Sequence, residues 1–393
     1  MQDQGGLCML NGYSPLATRV GGRVKLNVAM GVILVMASPV LHAEQHSTDL
    51  PHSRYEDGRY QNLTVLPKDG VWKKLRIGFK YLLLRKPPET RPGAPLPVQQ
   101  LSTQALLEAP DNSLWRLGHS TVLIKAGGRF FLTDPVFSER ASPVQWAGPR
   151  RFHAPPIALA DLPPLAAVVL SHDHYDHLDH DSVMALAART ELFLAPLGVG
   201  DILVKWGIAQ NKVRQLDWWQ ETEAAGARFA ATPTQHFSGR GLFDSNHTLW
   251  ASWVMITPGW RLFFSGDSGY FDGFKRIGDR YGPFDLAMVE TGAYNLAWPN
   301  VHMQPEQSLK AAQDVGARWM LPIHNGTFDL SIHAWQEPFE RITRLAQVAG
   351  MPLATPRLGE RLDLLSPKPG GQWWRELAGG EPGPAETEVA YRP

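Results

Sequence analysis

Cysteine is almost absent from this chain of 393 residues, where Cys8 stands alone. A disulfide framework and a cysteine-ligated structural zinc are therefore both excluded. Net charge is missing as well. Thirty-eight Lys and Arg balance thirty-eight Asp and Glu, so no global field draws the chain to nucleic acid. The apolar run Val28–Val40 is too short for a comfortable membrane span. It follows Arg19, Arg23 and Lys25 and leads into Leu41-His42-Ala43, which puts a small residue before Glu44. That order reads as a secretory signal peptide over residues 1–43, with a periplasmic or membrane-peripheral destination. An uncleaved anchor is the alternative. Cleavage after Ala43 would remove Cys8 and leave no thiol.

What is present starts from Ser171-His172-Asp173-His174-Tyr175-Asp176-His177, which holds three histidines and an aspartate in the pattern H-x-H-x-D-H. The apolar run Leu165–Leu170 precedes it, bounded by Pro163-Pro164, and reads as a buried strand. The histidines then lie at the strand's end, where a loop aims several side chains at one point. Imidazole and carboxylate are natural zinc ligands, and four so close together can serve two ions.

Hydrophobic residues make up 44% of the chain, ample for one large domain or two small ones. Residues 44–104 read as an N-terminal extension. In Val71–Lys86, Trp72, Leu75, Phe79, Leu82 and Leu83 recur at helical spacing, while Lys73, Lys74, Arg76 and Lys80 lie largely on other faces. Such a basic amphipathic helix suits a membrane surface, or docks its stripe on the catalytic domain. Residues 105–365 read as that domain. Short strands are expected over Leu114–Leu117, Thr121–Ile124 and Arg129–Thr133, with Gly127-Gly128 as a hairpin turn. Others follow over Glu191–Ala195, Arg228–Thr232, Leu249–Ile256, Arg261–Ser265, Leu286–Glu290 and Trp319–Ile323. Helices are expected over Asp181–Arg189, Pro305–Val315 and His333–Val348. Two sets of strands with interleaved helices give a two-sheet α/β sandwich clad by helices. The Gly-, Pro- and Glu-rich tail, residues 366–393, is expected to be loose.

More candidate ligands sit where strands end. His236 follows the strand through Ala231, Asp267 ends Leu262–Gly266, and His324 ends Met320–Ile323. Gly266 and Gly269 let the backbone turn sharply beside Asp267. Asp134, in a Thr-Asp-Pro turn, is a candidate to orient a ligating imidazole, and His119 a similar support. Asp173 and Asp179 lie beside ligands but outside the pattern and read as structural.

The ordered set His172, His174, Asp176, His177, His236, Asp267 and His324 resembles that of the metallo-β-lactamase superfamily, whose fold is an αββα sandwich. The resemblance covers roughly Leu114–Phe339. It implies one zinc ion on His172, His174 and His236 and a second on Asp176, His177 and His324. Asp267 and a hydroxide would bridge the two. Within the superfamily, Gly118-His119-Ser120-Thr121, Thr133–Pro143, Gly148–Phe152, Gly266–Tyr270, Val301–Glu306 and Ile323–Phe328 resemble the N-acyl-phosphatidylethanolamine phospholipase D family. By that resemblance Gln145 and Trp146 help hold the acyl-ethanolamide product, although tyrosine is expected where Trp146 stands. His302 matches a family histidine near the reacting phosphate; the alternative is a surface histidine in the loop before a helix. His333 reads as an ordinary loop histidine.

The resemblance thus implies a phosphodiesterase with two zinc ions, a phospholipid substrate at a membrane surface and a possible homodimer. The same metal pair would also open a lactone or cleave a thioester, so ligands alone set the reaction only as far as hydrolysis. A non-enzymatic binding protein would have lost a ligand, and all seven are present.

Overall fold

The computed structural model describes residues 51–64, 86–241 and 243–377. The expected signal peptide lies outside these residues, as does the basic helix up to Arg85. Among the described residues no helix is long and apolar enough to cross a membrane.

A small hairpin, β1 (Arg54–Glu56) and β2 (Arg59–Gln61), precedes the two main sheets. The first sheet holds β3 (Ser113–Gly118), β4 (Thr121–Ala126), β5 (Arg129–Thr133), β6 (Leu165–Val169), β7 (Thr190–Pro196) and β8 (Val213–Leu216) in that spatial order. Strands β3 to β5 are antiparallel, whereas β5 to β8 run parallel. The second sheet is built from β9 (Glu221–Ala224), β10 (Ala227–Thr232), β11 (Ser252–Ile256), β12 (Arg261–Phe264), β13 (Leu286–Glu290) and β14 (Met320–Ile323). Its last three strands are parallel. A final strand, β15 (Arg361–Asp363), returns to the first sheet beside β3. The β4–β5 connection is the expected hairpin. Gly127 and Gly128 both adopt positive φ, +57° and +70°, which a tight two-residue turn between twisted strands demands.

Side-chain alternation decides how the layers stack. On β5, Phe131 faces the second sheet and packs in one core with Phe229, Trp253 and Phe264. Its neighbours Phe130 and Leu132 point the other way, into a core with Val183, Leu186 and Leu203. Those three belong to helices α2 (His180–Leu186) and α3 (Val199–Trp206), which cover the outer face of the first sheet. Helices α4 (Gly273–Tyr281), α5 (Pro305–Asp314) and α6 (Glu337–Ala349) contribute Phe274, Ile277, Ala312 and Ile342 to the core around the second sheet. The architecture is the expected αββα sandwich. A short α1 (Thr103–Glu108) precedes β3, and the Lys125 ammonium donates to its terminal carbonyls at Leu107 and Ala109, both at 2.6 Å.

Two expectations change. Helix α6 starts at Glu337, four residues later than the periodicity predicts. The Trp335 N–H donates instead to the Glu89 carbonyl at 2.9 Å, and the His333 ring stacks on Tyr294, so the segment before Pro338 is held as a loop. The tail is not loose from Ser366. Trp373 and Trp374 are buried against Leu96, Trp335, Phe339 and Leu358, and Trp374 Nε1 donates to Glu340 at 2.7 Å. Two large aromatics outweigh the polar composition around them.

The two sheets are joined next to the histidine loop. Trp253, buried on β11, donates its Nε1–H across the sandwich to the Leu170 carbonyl at 2.8 Å, one residue before Ser171. Trp253→Phe strands that carbonyl in an apolar core. It is expected to lower stability by roughly 1–3 kcal/mol with an unchanged denaturant slope, measured by urea unfolding.

Candidate metal centre

Strand ends of both sheets deliver the candidate ligands to one place. The loop after β6 carries His172, His174, Asp176 and His177; His236 lies beyond β10, Asp267 beyond β12 and His324 just past β14. They fall into two groups. His172, His174 and His236 converge, with His172 Nε2 at 2.9 Å and His236 Nε2 at 3.3 Å from His174 Nδ1. Asp176, His177 and His324 converge with His119, whose Nε2 is 3.1 Å from Asp176 Oδ2. Asp267 touches both groups. Its carboxylate is 3.1 Å from His177 Nε2 and 3.0 Å from His324 Nε2, and 3.9 and 3.8 Å from His172 Nε2 and His236 Nε2. The structure therefore brings together all seven residues singled out in the sequence.

Hydrogen bonds on the far side of the rings fix which nitrogen faces inward. His177 Nδ1 is 2.7 Å from Asp134 Oδ2, and His236 Nδ1 is 2.9 Å from the Val301 carbonyl. His172 Nδ1 meets Ser171 Oγ at 2.9 Å, and that hydroxyl donates in turn to Asp134 at 2.6 Å. With Nδ1 as the donor in each ring, Nε2 presents a lone pair to the centre. His177 Nε2, His324 Nε2 and Asp267 Oδ1 are buried without a hydrogen-bond partner. Facing lone pairs and an orphaned carboxylate oxygen are unfavourable unless a cation lies among them. Imidazole with carboxylate suits divalent transition-metal ions, so the donor set fits.

Electrostatics point the same way. Burial pushes the His172 and His236 imidazoles well below their ordinary pKa, which keeps them neutral and able to ligate. Burial acts likewise on His177 and His324, but Asp267 and Asp176 outweigh it. They raise His177 well above its usual value and His324 to about 10. A cation held by these residues would compete for those carboxylates and favour the deprotonated, ligating form of both rings.

The backbone is strained where it presents these groups. His119, Asp134 and His324 adopt positive φ, at +42°, +32° and +63°, costing of order 1–3 kcal/mol each. The turn before Asp267 is pressed against the histidine loop: a Cβ on Gly266 would lie 2.7 Å from Ser171 Cβ, and one on Gly269 only 1.9 Å from the Asn300 carbonyl. Arg116, buried on β3, donates to the Asn325 backbone carbonyl and, at 2.7 Å, to its side chain, and so steadies the turn after His324.

The remaining predicted residues divide. Asp134 meets the His177 imidazole, whereas His119 meets the Asp176 carboxylate rather than an imidazole. Asp173 and Asp179 are structural, holding Gly239 and Thr248 in one case and Ser138 in the other. The Gln145 side chain closes on the Arg140 backbone through both its oxygen and its nitrogen. Trp146 is 83% exposed. His302 does join the site, with its ring 5.2 Å from those of both His236 and His324. Its partner Glu290 escaped the sequence reading. This fully buried carboxylate meets His302 Nδ1 at 3.2 Å and accepts from the Met303 and Ser268 N–H groups at 2.8 and 3.0 Å. A signal existed: Glu290 closes an otherwise apolar strand, as the ligands do.

Residues 129–325 match the family described as Beta-lactamase superfamily domain. The chain belongs to that superfamily and is a metal-dependent hydrolase of the metallo-β-lactamase fold. Within it, the chain is 39% identical over 242 residues to the N-acyl-phosphatidylethanolamine-hydrolyzing phospholipase D 1 of Caenorhabditis elegans, covering 58% of this chain and 68% of that protein. It is 42% identical over 328 residues to an uncharacterized protein of Mycobacterium tuberculosis, covering 82% and 87%. Among solved structures, a metallo hydrolase from the archaeon Ignicoccus hospitalis shares the fold at 20% identity, with a TM-score of 0.50 over 64% of this chain and 97% of that one.

Because Asp134 orients His177 directly and His172 through Ser171, its loss should disturb both ligand groups. Asp134→Ala is expected to weaken metal binding 10- to 100-fold at both positions, and Ser171→Ala at one. Competition with a chromogenic chelator distinguishes the two patterns.

Proposed function

We propose that this protein is a dinuclear zinc phosphodiesterase that cleaves N-acyl-phosphatidylethanolamine, or a related phospholipid, to phosphatidic acid and an N-acylethanolamine. The observation that carries the reading is the pair of ligand groups sharing Asp267, with His302 beside them on Glu290. The relationship to the C. elegans phospholipase supports the substrate class. His172, His174 and His236 would hold one ion, Asp176, His177 and His324 the other, and Asp267 both. When bound, the pair supplies hydroxide at neutral pH and a Lewis acid for the phosphoryl oxygens.

The chain's own groups do the rest. Glu290 accepts the Nδ1–H of His302 and fixes the ring, which leaves Nε2 on the opposite edge. From there His302 gives a proton to the oxygen of the departing N-acylethanolamine. Phosphorus remains on the diacylglycerol side as the phosphate monoester. Asp267, buried, and Asp176, half-buried, are both strongly acidic and would concentrate negative charge where two dications are needed. The reading also places the enzyme outside the cytoplasm at a membrane surface, which rests on the N-terminal sequence. N-terminal sequencing of the native protein is expected to begin near Glu44.

Purified protein is expected to contain about two zinc ions per chain by elemental analysis. An activity screen against N-acyl-phosphatidylethanolamine, lactones and thioesters tests the substrate, and lactone turnover without phospholipid cleavage would replace this reading by a lactonase. His302→Ala is expected to lower kcat on the phospholipid by roughly 10²-fold or more while zinc content stays at the wild-type value.

A further inference from the structure

His236 is the odd member of its ligand group. His172 and His174 share one short loop after β6, whereas His236 comes from the other sheet, beyond β10. The ladder between β10 and β11 stops at Thr232. His236 is nonetheless fully buried, so its N–H and C=O need partners of their own. Asn62 supplies both. Its Nδ2 donates to the His236 carbonyl at 2.8 Å, and its Oδ1 accepts the His236 N–H at 3.0 Å. One side-chain amide thereby stands in for a strand partner across 174 positions of sequence. Trp250, also fully buried, donates its Nε1–H to the same Oδ1 at 3.1 Å. Two donors meeting one oxygen leave the amide a single orientation.

The segment that carries Asn62 is itself anchored. On β2, the Tyr60 N–H donates to the Asn246 carbonyl at 2.8 Å, and the Asn246 side chain donates back to the Tyr60 carbonyl at 3.3 Å. Arg59 donates to the Ser245 carbonyl at 2.9 Å, while Tyr60 and Leu63 pack against the main core. The loop after His236 is thus gripped by β2 near Asn246 and by Asn62 at its start. The His236 Nδ1 lies 2.9 Å from the Val301 carbonyl. Backbone and ring are then fixed at three points, and Nε2 is left 3.3 Å from His174 Nδ1.

We propose that Asn62 is a positioning residue for the metal centre, a clamp from outside the two sheets that holds His236 where it can share an ion with His172 and His174. The inference rests on the metal reading above and concerns the first ligand group alone. Asp134 holds His177, and Arg116 steadies the turn after His324, so the second group does not depend on the clamp.

The test is cobalt(II) titration of the full chain after its metal has been removed by a chelator, followed by visible absorption to resolve the two binding steps. Asn62→Ala is expected to weaken one step 10- to 100-fold and to leave the other unchanged. Asn62→Asp has the same size, keeps the acceptor and loses the donor. It is expected to weaken the same step, and it decides the matter if the alanine variant does not fold. Arg59→Ala removes an anchor of the same segment without touching His236, and should leave both steps at wild-type strength. Unchanged steps in the Asn62 variants, two steps weakened alike, or an equal loss in Arg59→Ala overturns the proposal, since a general loss of stability spares neither group. A wild-type chain that takes up no cobalt sinks the metal reading instead, and amide exchange in the metal-free protein then decides the clamp. There the His236 amide is expected to exchange about tenfold faster in Asn62→Ala than in wild type or Arg59→Ala, and equal rates overturn it.

Discussion

The Asp134 carboxylate is the constraint on which the metal centre depends. It is completely buried, and it receives the Ser171 N–H at 2.7 Å, the Ser171 hydroxyl at 2.6 Å and the His177 imidazole at 2.7 Å. One group thereby sets the orientation of a histidine in each ligand cluster, His177 directly and His172 through Ser171. Buried acceptors with several donors hold their partners rigidly, because every alternative leaves a polar group unpaired. The positive φ at Asp134 shows that the backbone yields to this arrangement rather than dictating it.

The sandwich makes such an arrangement possible. Parallel strands β5 and β6 end side by side, so the Thr-Asp-Pro turn and the histidine loop emerge together. Across the core, β12, β13 and β14 end in the same way and deliver Asp267, Glu290 and His324. Trp253 fixes the spacing between the two sheets at the point where their ligands must meet. The strands supply rigidity and the loops supply chemistry, a division common wherever functional groups project from sheet ends. The strained residues His119, Asp134 and His324 sit at this junction, where the surrounding packing outweighs their conformational cost.

The comparison with known proteins and the geometry constrain function at different depths. The superfamily and the ligand set define a metal-dependent hydrolase. The choice among hydrolysable substrates belongs to the phospholipid proposal, which rests on the relationship to the C. elegans phospholipase and on His302 held by Glu290 beside the ligands.

Much of this was determined by the sequence alone. The seven candidate ligands were legible because each follows an apolar strand, and strand period and ligand type are local properties. The β4–β5 hairpin was legible because Gly127-Gly128 permits a backbone that other residues resist, and the α5 boundaries because Pro305 and Gly316 punctuate them. Tertiary structure decided the rest. Glu290 and His302 are 12 positions apart and Asp134 and His177 are 43, and no periodicity links them. The Gln145 side chain closes on Arg140, because two backbone partners lie within its own turn. The tail looked loose by composition, yet Trp373 and Trp374 find a pocket assembled from residues near 96, 335 and 358. Local patterns specify which conformations a segment favours, whereas contacts between distant residues exist only once two sheets and their loops have packed.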